Sequence, residues 1–353
     1  MRRIVALLLC CLLLTGCGSW WDGEYSSVTP HKPREQASDQ TIPSIKNVSQ
    51  IKQVLEDFTQ KGSSGGLVSV EEFPPSALEE CMDRAIEDFL TNHPIGAYAL
   101  EDISYELGTT GGMQAVSVTL TYSRSPEEIR AICSARDREQ VEQQLWQALE
   151  TFEPGLVLRV ENYNDIDLNQ MVSDFALENP NVVMELPLLS VLQYPDKGTD
   201  RILDVRFTYQ TSRDSLRTMQ RYVKPVFDSA AYYVSSEEES STVKYSRLCT
   251  FLMERNDYQL QTSITPTYSL LRHGVGDSKA FAMVYAAMCR RAELECWVVT
   301  GTKQGEAWFW NIICDDGAYY HVDVLRPGGY ARLADSQMTG YVWDYSAYPA
   351  CGG

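Results

Sequence analysis

Thr267-Tyr268-Ser269-Leu270-Leu271-Arg272-His273-Gly274-Val275-Gly276-Asp277-Ser278-Lys279-Ala280-Phe281-Ala282 sets the architecture of this chain. Gly274 and Gly276 close one segment, and Asp277-Ser278 opens a helix whose Phe281, Val284, Tyr285 and Met288 recur at core-facing spacing. Ser278 therefore sits in a first helical turn, where free amides and the helix dipole stabilise negative charge. A thiol there would ionise readily. A hydroxyl does not ionise near neutral pH and attacks nothing without a strong adjacent base. Serine is among the best helix caps, so capping, together with Asp277, is the role expected of Ser278.

Downstream, Trp308-Phe309-Trp310-Asn311-Ile312-Ile313-Cys314 and Tyr319-Tyr320-His321-Val322-Asp323 flank Asp315-Asp316-Gly317. Asp316-Gly317 predicts a two-residue type I′ hairpin in which Trp310 faces Asp323. Trp308 then lies diagonally on the same sheet face, and His321 shares that face with Asp323. Cys296 to Thr300 predicts a further strand, and a helix holding Leu248, Phe251 and Leu252 precedes the Ser278 segment. Most of the sheet aromatics are expected in the core. An indole lining a cleft could instead stack a sugar or clamp a peptide, with Gly305-Glu306 as a polar rim.

These residues resemble the transglutaminase-like superfamily of bacteria, which shares the papain-like cysteine-peptidase fold. In that family Gly-x-Gly-x-Cys-x-x-Tyr/Phe-Ala opens the active-site helix. A His-Ala-Trp-Asn strand then leads through an Asp-Gly turn to a strand ending in Asp. The resemblance runs from about Val243 to Cys351 and includes Trp343-Asp344 and Tyr348 to Cys351, which look like the closing segment of lipoprotein members. It implies a papain-like α+β domain with Ser278 at the cysteine position, Trp308 at the histidine position and Asp323 at the acid position. An indole cannot accept a proton at its nitrogen. The resemblance thus implies a degenerate triad with no catalytic residues, and a cleft around Ser278, Trp308, Trp310 and Asp323 used for binding. The alternative is an active amide hydrolase or acyltransferase with a rebuilt Ser278-His321-Asp323 site. His273, five residues before Ser278, is a second candidate base. A histidine two residues before this aspartate is familiar in intact members beside their normal base, so His321 is expected to pack within the sheet.

At the other end, Arg2-Arg3 and the apolar run Ile4 to Leu14 precede Leu14-Thr15-Gly16-Cys17. The run is too short for a transmembrane helix, which needs about 20 residues. The step into Cys17 resembles a bacterial lipobox. Residues 1–17 are therefore expected to be a lipoprotein signal peptide, with lipid on Cys17 anchoring an exported chain to the outer face of the cytoplasmic membrane. Residues 18–46 read as a flexible tether rich in Ser, Pro and Gln. The formal net charge of −18 disfavours nucleic-acid partners and leaves a protein, peptide or cell-wall component as the expected ligand. Beyond Cys17 the cysteines (81, 133, 249, 289, 296, 314, 351) contain no Cys-x-x-Cys pair, so no metal site is expected. Cys81 and Cys133 could bridge, a question the spacing leaves open. No phosphate-cradling loop suggests an organic cofactor.

Between tether and C-terminal domain the chain repeats itself. Gly66-Leu67-Val68-Ser69-Val70-Glu71 matches Gly155-Leu156-Val157-Leu158-Arg159-Val160-Glu161 at an offset of 89 (155 − 66). Val118 to Ser125 matches Val205 to Ser212 at an offset of 87 (205 − 118). Near-constant offsets predict a tandem duplication. Each copy reads as helix, strand, helix and hairpin: helices near 47–60 and 76–92, then 137–150 and 165–178, with alternating strands at Val116 to Tyr122 and Leu203 to Tyr209. The expected fold is thus α+β: repeats over 47–136 and 137–236, acting as spacer or binding platform, then a transglutaminase-like domain over 237–353.

Overall fold

The computed structural model describes residues 42–352 apart from Glu72, Asp165 and Gln261. The expected signal peptide, Cys17 and tether residues 18–41 lie outside the described residues. Among the described residues, no helix is long and apolar enough to cross a membrane.

The tether was expected to reach residue 46, yet Ser44–Ile45 forms strand β1. It pairs in parallel with β2 (Gly65–Val70) through Ser44–Ser69 and Ile45–Val70. Ile45 is 1% exposed, and full burial of such a side chain is worth about 1.5–3 kcal/mol, enough to recruit two residues to a sheet edge. Helix α1 (Val48–Lys61) starts at Asn47, whose side chain accepts the Gln50 amide at 3.0 Å, and stops at Gly62 with φ 64°. Helix α2 (Pro75–Asn92) ends where Pro94 forces His93 out of the α region, and α3 (Pro94–Ala99) restarts there. The hairpin β3 (Leu100–Thr110) and β4 (Met113–Tyr122) completes a sheet ordered β1-β2-β4-β3.

After α4 (Pro126–Arg130), residues 133–208 follow that order without a counterpart to α3: β5 (Cys133–Ala135), α5 (Arg138–Glu150), β6 (Gly155–Val160), α6 (Leu168–Glu178), β7 (Leu188–Tyr194) and β8 (Arg201–Thr208). Their sheet runs β5-β6-β8-β7. Ser44 pairs with Ser69 and Cys133 with Leu158, both steps being 89 residues on (133 − 44, 158 − 69). The leading strands β1 and β5 have two and three residues, too few to show a period. Helix α3 lies against this second sheet: Tyr98 meets Tyr194 edge-on at 5.5 Å, and Ile202 is fully buried in the first unit's core. Polar links accompany the contact. Arg159 pairs with Glu56 and Asp200, both at 2.9 Å, and the nearly buried Asp204 takes Arg206 at 2.8 Å and Arg124 at 3.5 Å.

Helix α7 (Arg213–Tyr233) falls within the span expected for the second repeat. It sends Leu216, Val223, Phe227 and Ala230 into the C-terminal core instead. There it meets α8 (Ser241–Met253), then β9 (Asp257–Tyr258), α9 (Pro266–His273), β10 (Val275–Gly276) and α10 (Ser278–Arg291). Helix α10 is apolar around nearly its whole circumference, as a central helix must be. Tyr285 donates to the Tyr245 carbonyl at 3.0 Å, and the Tyr245 hydroxyl donates to the Glu295 carbonyl at 2.7 Å, so both buried phenols are satisfied.

Strands β11 (Cys296–Lys303), β12 (Glu306–Asp315), β13 (Ala318–Val322) and β14 (Tyr341–Trp343) form an antiparallel sheet ordered β13-β12-β11-β14. Asp316 and Gly317 have φ of 52° and 78°, as the type I′ turn requires. Asn311 opposes Val322 and Ile312 opposes His321, the predicted register. One face, with Val298, Ile313 and Val322, packs on α10. The other, with Val299, Trp310 and Ile312, is covered by Leu333, Met338 and Trp343. Asn311, fully buried, donates to the Ala282 carbonyl of α10 at 2.9 Å and so ties helix to sheet. Gly301 is required where β14 crosses, since a Cβ there would lie 2.3 Å from the Val342 carbonyl oxygen. All seven cysteines after residue 41 are free. Cys81 packs in the first core and Cys133 in the second.

Candidate functional site

Ser278 is the first residue of α10, but it is not the cap. Asp277, still extended at φ −86° and ψ 178°, carries that role and accepts the Ala280 amide at 2.9 Å. A capping side chain must precede the helical backbone, and Ser278 is already inside it. The Ser278 Oγ accepts from the Phe309 amide at 3.4 Å. It is 6% exposed and lines a cleft of about 630 Å³ between the start of α10 and the β11–β12 hairpin.

Across this cleft, Trp308 occupies the position where the family resemblance puts a histidine. Its Nε1 donates to Asp323 Oδ2 at 3.2 Å. The indole thus keeps the half of a triad histidine's role that faces the acid. It lacks the half that accepts a proton from a nucleophile. Asp323, 2% exposed, is held by three further donors: Lys303 Nζ at 2.8 Å and the Tyr341 hydroxyl at 2.6 Å on Oδ2, and the Leu325 amide at 3.0 Å on Oδ1. Burial, and then the bond to Asp323, push the Tyr341 phenol up, so it stays a donor. Lys303 Nζ also lies 4.5 Å over the Trp308 ring and 5.0 Å over that of Tyr341. The Lys303 side chain is thus held between a carboxylate and two rings.

His321 stands elsewhere. Its Nδ1 accepts from Trp310 Nε1 at 2.9 Å and its Nε2 lies 2.8 Å from Asp335 Oδ1. The ring is fully buried on the sheet face turned away from α10, so both nitrogens are engaged and neither meets Ser278. A rebuilt Ser278-His321-Asp323 relay is not assembled, because His321, although on the sheet face of Asp323, is buried between Trp310, Trp343 and Asp335 with both ring nitrogens taken. His273 is exposed at the end of α9, edge-on to Tyr268 at 5.6 Å. Trp310 and Asp323 were expected to line the cleft with Ser278 and Trp308. Trp310 is instead fully buried, and Asp323 lies sealed behind Trp308, Lys303 and Tyr341. Tyr258, Lys279, Phe309 and Glu306 line the cleft in their place.

Sequence reasoning missed Lys303, Tyr341, Tyr258 and Lys279. A signal for Lys303 existed. Gln304-Gly305 forms a two-residue turn with φ of 54° and 87°, and that register puts Lys303 on the Trp308 face. Tyr341 and Tyr258 come from distant segments and left no such signal.

His321, Asp335 and Cys351 bring ligand atoms within 4.8 Å of one another. Their chemistry does not suit a cation. The Trp310 N–H aimed at Nδ1 leaves the proton of the neutral ring on Nε2, where it points at Asp335, so no nitrogen lone pair is free. Burial, and then Asp335, push the Cys351 thiol up to about 12, far from the thiolate a metal needs.

Residues 228–324 match the family model of the transglutaminase-like superfamily. The chain carries a transglutaminase-like domain. The matched span includes Ser278, Trp308 and Asp323. Three solved structures are similar. One, assigned as a cysteine protease of Cytophaga hutchinsonii, is 12% identical, with 44% of this chain and 70% of that one covered and a TM-score of 0.26. One, assigned as a protease of Parabacteroides distasonis, is 11% identical, with 74% of this chain but only 40% of that one covered and a TM-score of 0.25. The third, described as a TGase, is 10% identical, with coverages of 84% and 82% and a TM-score of 0.28. No curated protein matches the chain.

Proposed function

We propose that the transglutaminase-like domain recognises its ligand without turning it over, on an exported chain held at the membrane by lipid on Cys17. The Trp308–Asp323 hydrogen bond carries this reading. The acid is engaged by an indole that cannot accept a proton, and Ser278, a hydroxyl beside no base among the described residues, is not activated. The cleft keeps the volume and aromatic wall suited to gripping a peptide or a cell-wall fragment. The lipobox-like step into Cys17 supports the membrane placement.

The test is a crosslinking pull-down from the native envelope with wild type and Trp308→Ala, alongside an assay for amide cleavage and amine transfer. Partners lost in Trp308→Ala, with no turnover in either protein, are expected. Turnover that disappears in Ser278→Ala would overturn the reading. Cys17→Ala is expected to move the protein from the membrane to the soluble fraction.

A further inference from the structure

The cleft does not end at Ser278. A second cavity, of about 240 Å³, lies between residues 173–186 of the second α/β unit and α10, lined by Leu177, Met184, Leu186, Ile264 and Met283. Thr262, Asp277 and Lys279 line both cavities, so the two adjoin across those side chains. Of the three carboxylates in the walls, Glu306 is an exposed rim residue and the other two are already answered. Glu185, 3% exposed, accepts the Gln210 and Thr211 amides at 2.6 and 3.1 Å, and Asp277 accepts the Ala280 amide at 2.9 Å. Lys279 is not answered in this way. Among the described residues its ammonium has no carboxylate partner and only lies 5.7 Å over the Phe309 ring. Exposed apolar side chains border it on both sides: Tyr258 (41%) and Leu260 (82%) along the first cavity, Ile264 (51%) and Leu186 (45%) along the second.

We infer that the two cavities form one groove for an extended peptide that sets an internal Asp or Glu side chain against Lys279, with an aromatic residue at Trp308 and an aliphatic one at Leu186 and Ile264. This rests on the recognition reading above and adds the ligand class and a second subsite supplied by the α/β unit. Lys279 sits between two cavities, so the carboxylate it meets has chain on either side and is a side chain, not a terminus. The solvent-screened pair is strengthened by the desolvating apolar walls.

The test uses the purified full chain and two labelled peptides, acetyl-Leu-Gly-Glu-Gly-Trp-amide and its Gln counterpart, in fluorescence polarisation. The Glu peptide is expected to bind about tenfold tighter, the size of a single charge-assisted contact. Lys279→Gln is expected to erase that preference, and Leu186→Asp to weaken both peptides. No binding to wild type, an unchanged Glu/Gln ratio in Lys279→Gln, or no effect of Leu186→Asp overturns the inference. If Trp308→Ala alone abolishes binding, the second subsite is wrong while the recognition reading stands.

Discussion

The indole N–H of Trp310 donates to Nδ1 of His321 across 2.9 Å, on the sheet face turned away from Ser278. That bond fixes the tautomer, because Nδ1 must present its lone pair and Nε2 must carry the hydrogen toward Asp335. A second proton would have to enter at Nδ1, against the Trp310 donor.

His321 should therefore couple stability to pH. Burial holds it below the ordinary histidine value of 6.5, although Asp335 pulls the other way. The unfolded ring binds a proton more readily, so this contribution is complete above the unfolded value of about 6.5 and is lost as pH falls from there through the lower folded value, at about 1.4 kcal/mol per unit of depression. The melting temperature should drop between pH 7.5 and 5.5. The drop should be smaller in Trp310→Phe, which frees Nδ1 to accept the proton. Equal slopes in calorimetry would contradict the tautomer lock.

Ser278→Cys alone should give a reactive thiol but no catalyst. The helix N-terminus lowers a thiol's pKa, so alkylation by iodoacetamide should persist below the pH at which a free cysteine slows. Amide cleavage should stay at background because residue 308 is still an indole. Adding Trp308→His beside Asp323 should raise cleavage above the single variant.

Lys303→Met should destabilise the domain by about 2–3 kcal/mol, since it leaves the buried Asp323 carboxylate without its cation. Lys303→Met/Asp323→Asn should recover part of that loss by removing the orphaned charge. Urea denaturation of the four proteins in the cycle measures the coupling.

Glu56 links α1 to the second sheet. Its hydrogen bond from His93, against the cost of burial and with help from Arg159, holds its carboxyl at about 2. A depressed carboxyl contributes above the unfolded value, near 4.5, and that contribution fades as pH falls toward 2. Glu56→Gln should cost about 1 kcal/mol at pH 7 and flatten the acid limb of the stability curve.

Thiol labelling of the native protein should separate the cysteines by burial. Burial pushes Cys249 up to about 12 and Cys289 well above its usual range. Mass spectrometry should find maleimide on the half-buried Cys81, Cys133 and Cys314 first, and on Cys249, Cys289, Cys296 and Cys351 only after unfolding.

Where an arrangement depends on near neighbours, the sequence was enough. Asp316-Gly317 fixes a turn, the turn fixes the register, and the period-two pleat then puts Trp308 and Asp323 on one face before any coordinates are known. The helices near 47–60 and 137–150 followed from apolar periodicity in the same way, and the structure starts them at the caps Asn47 and Asp137. The two- and three-residue strands β1 and β5, and the joining of α7 to the C-terminal core, were not legible. They exist only because distant segments bury them.

The same division runs through the site. Residue identities alone determined that position 278 carries a hydroxyl and position 308 an indole, because ionisation and proton acceptance are properties of a side chain. Tertiary structure alone decided that Lys303 and Tyr341 surround Asp323, that His321 is locked to Trp310 and Asp335, and that Lys279 lines two adjoining cavities. Those are contacts between segments far apart in the chain, and no local period or spacing encodes which of them will meet.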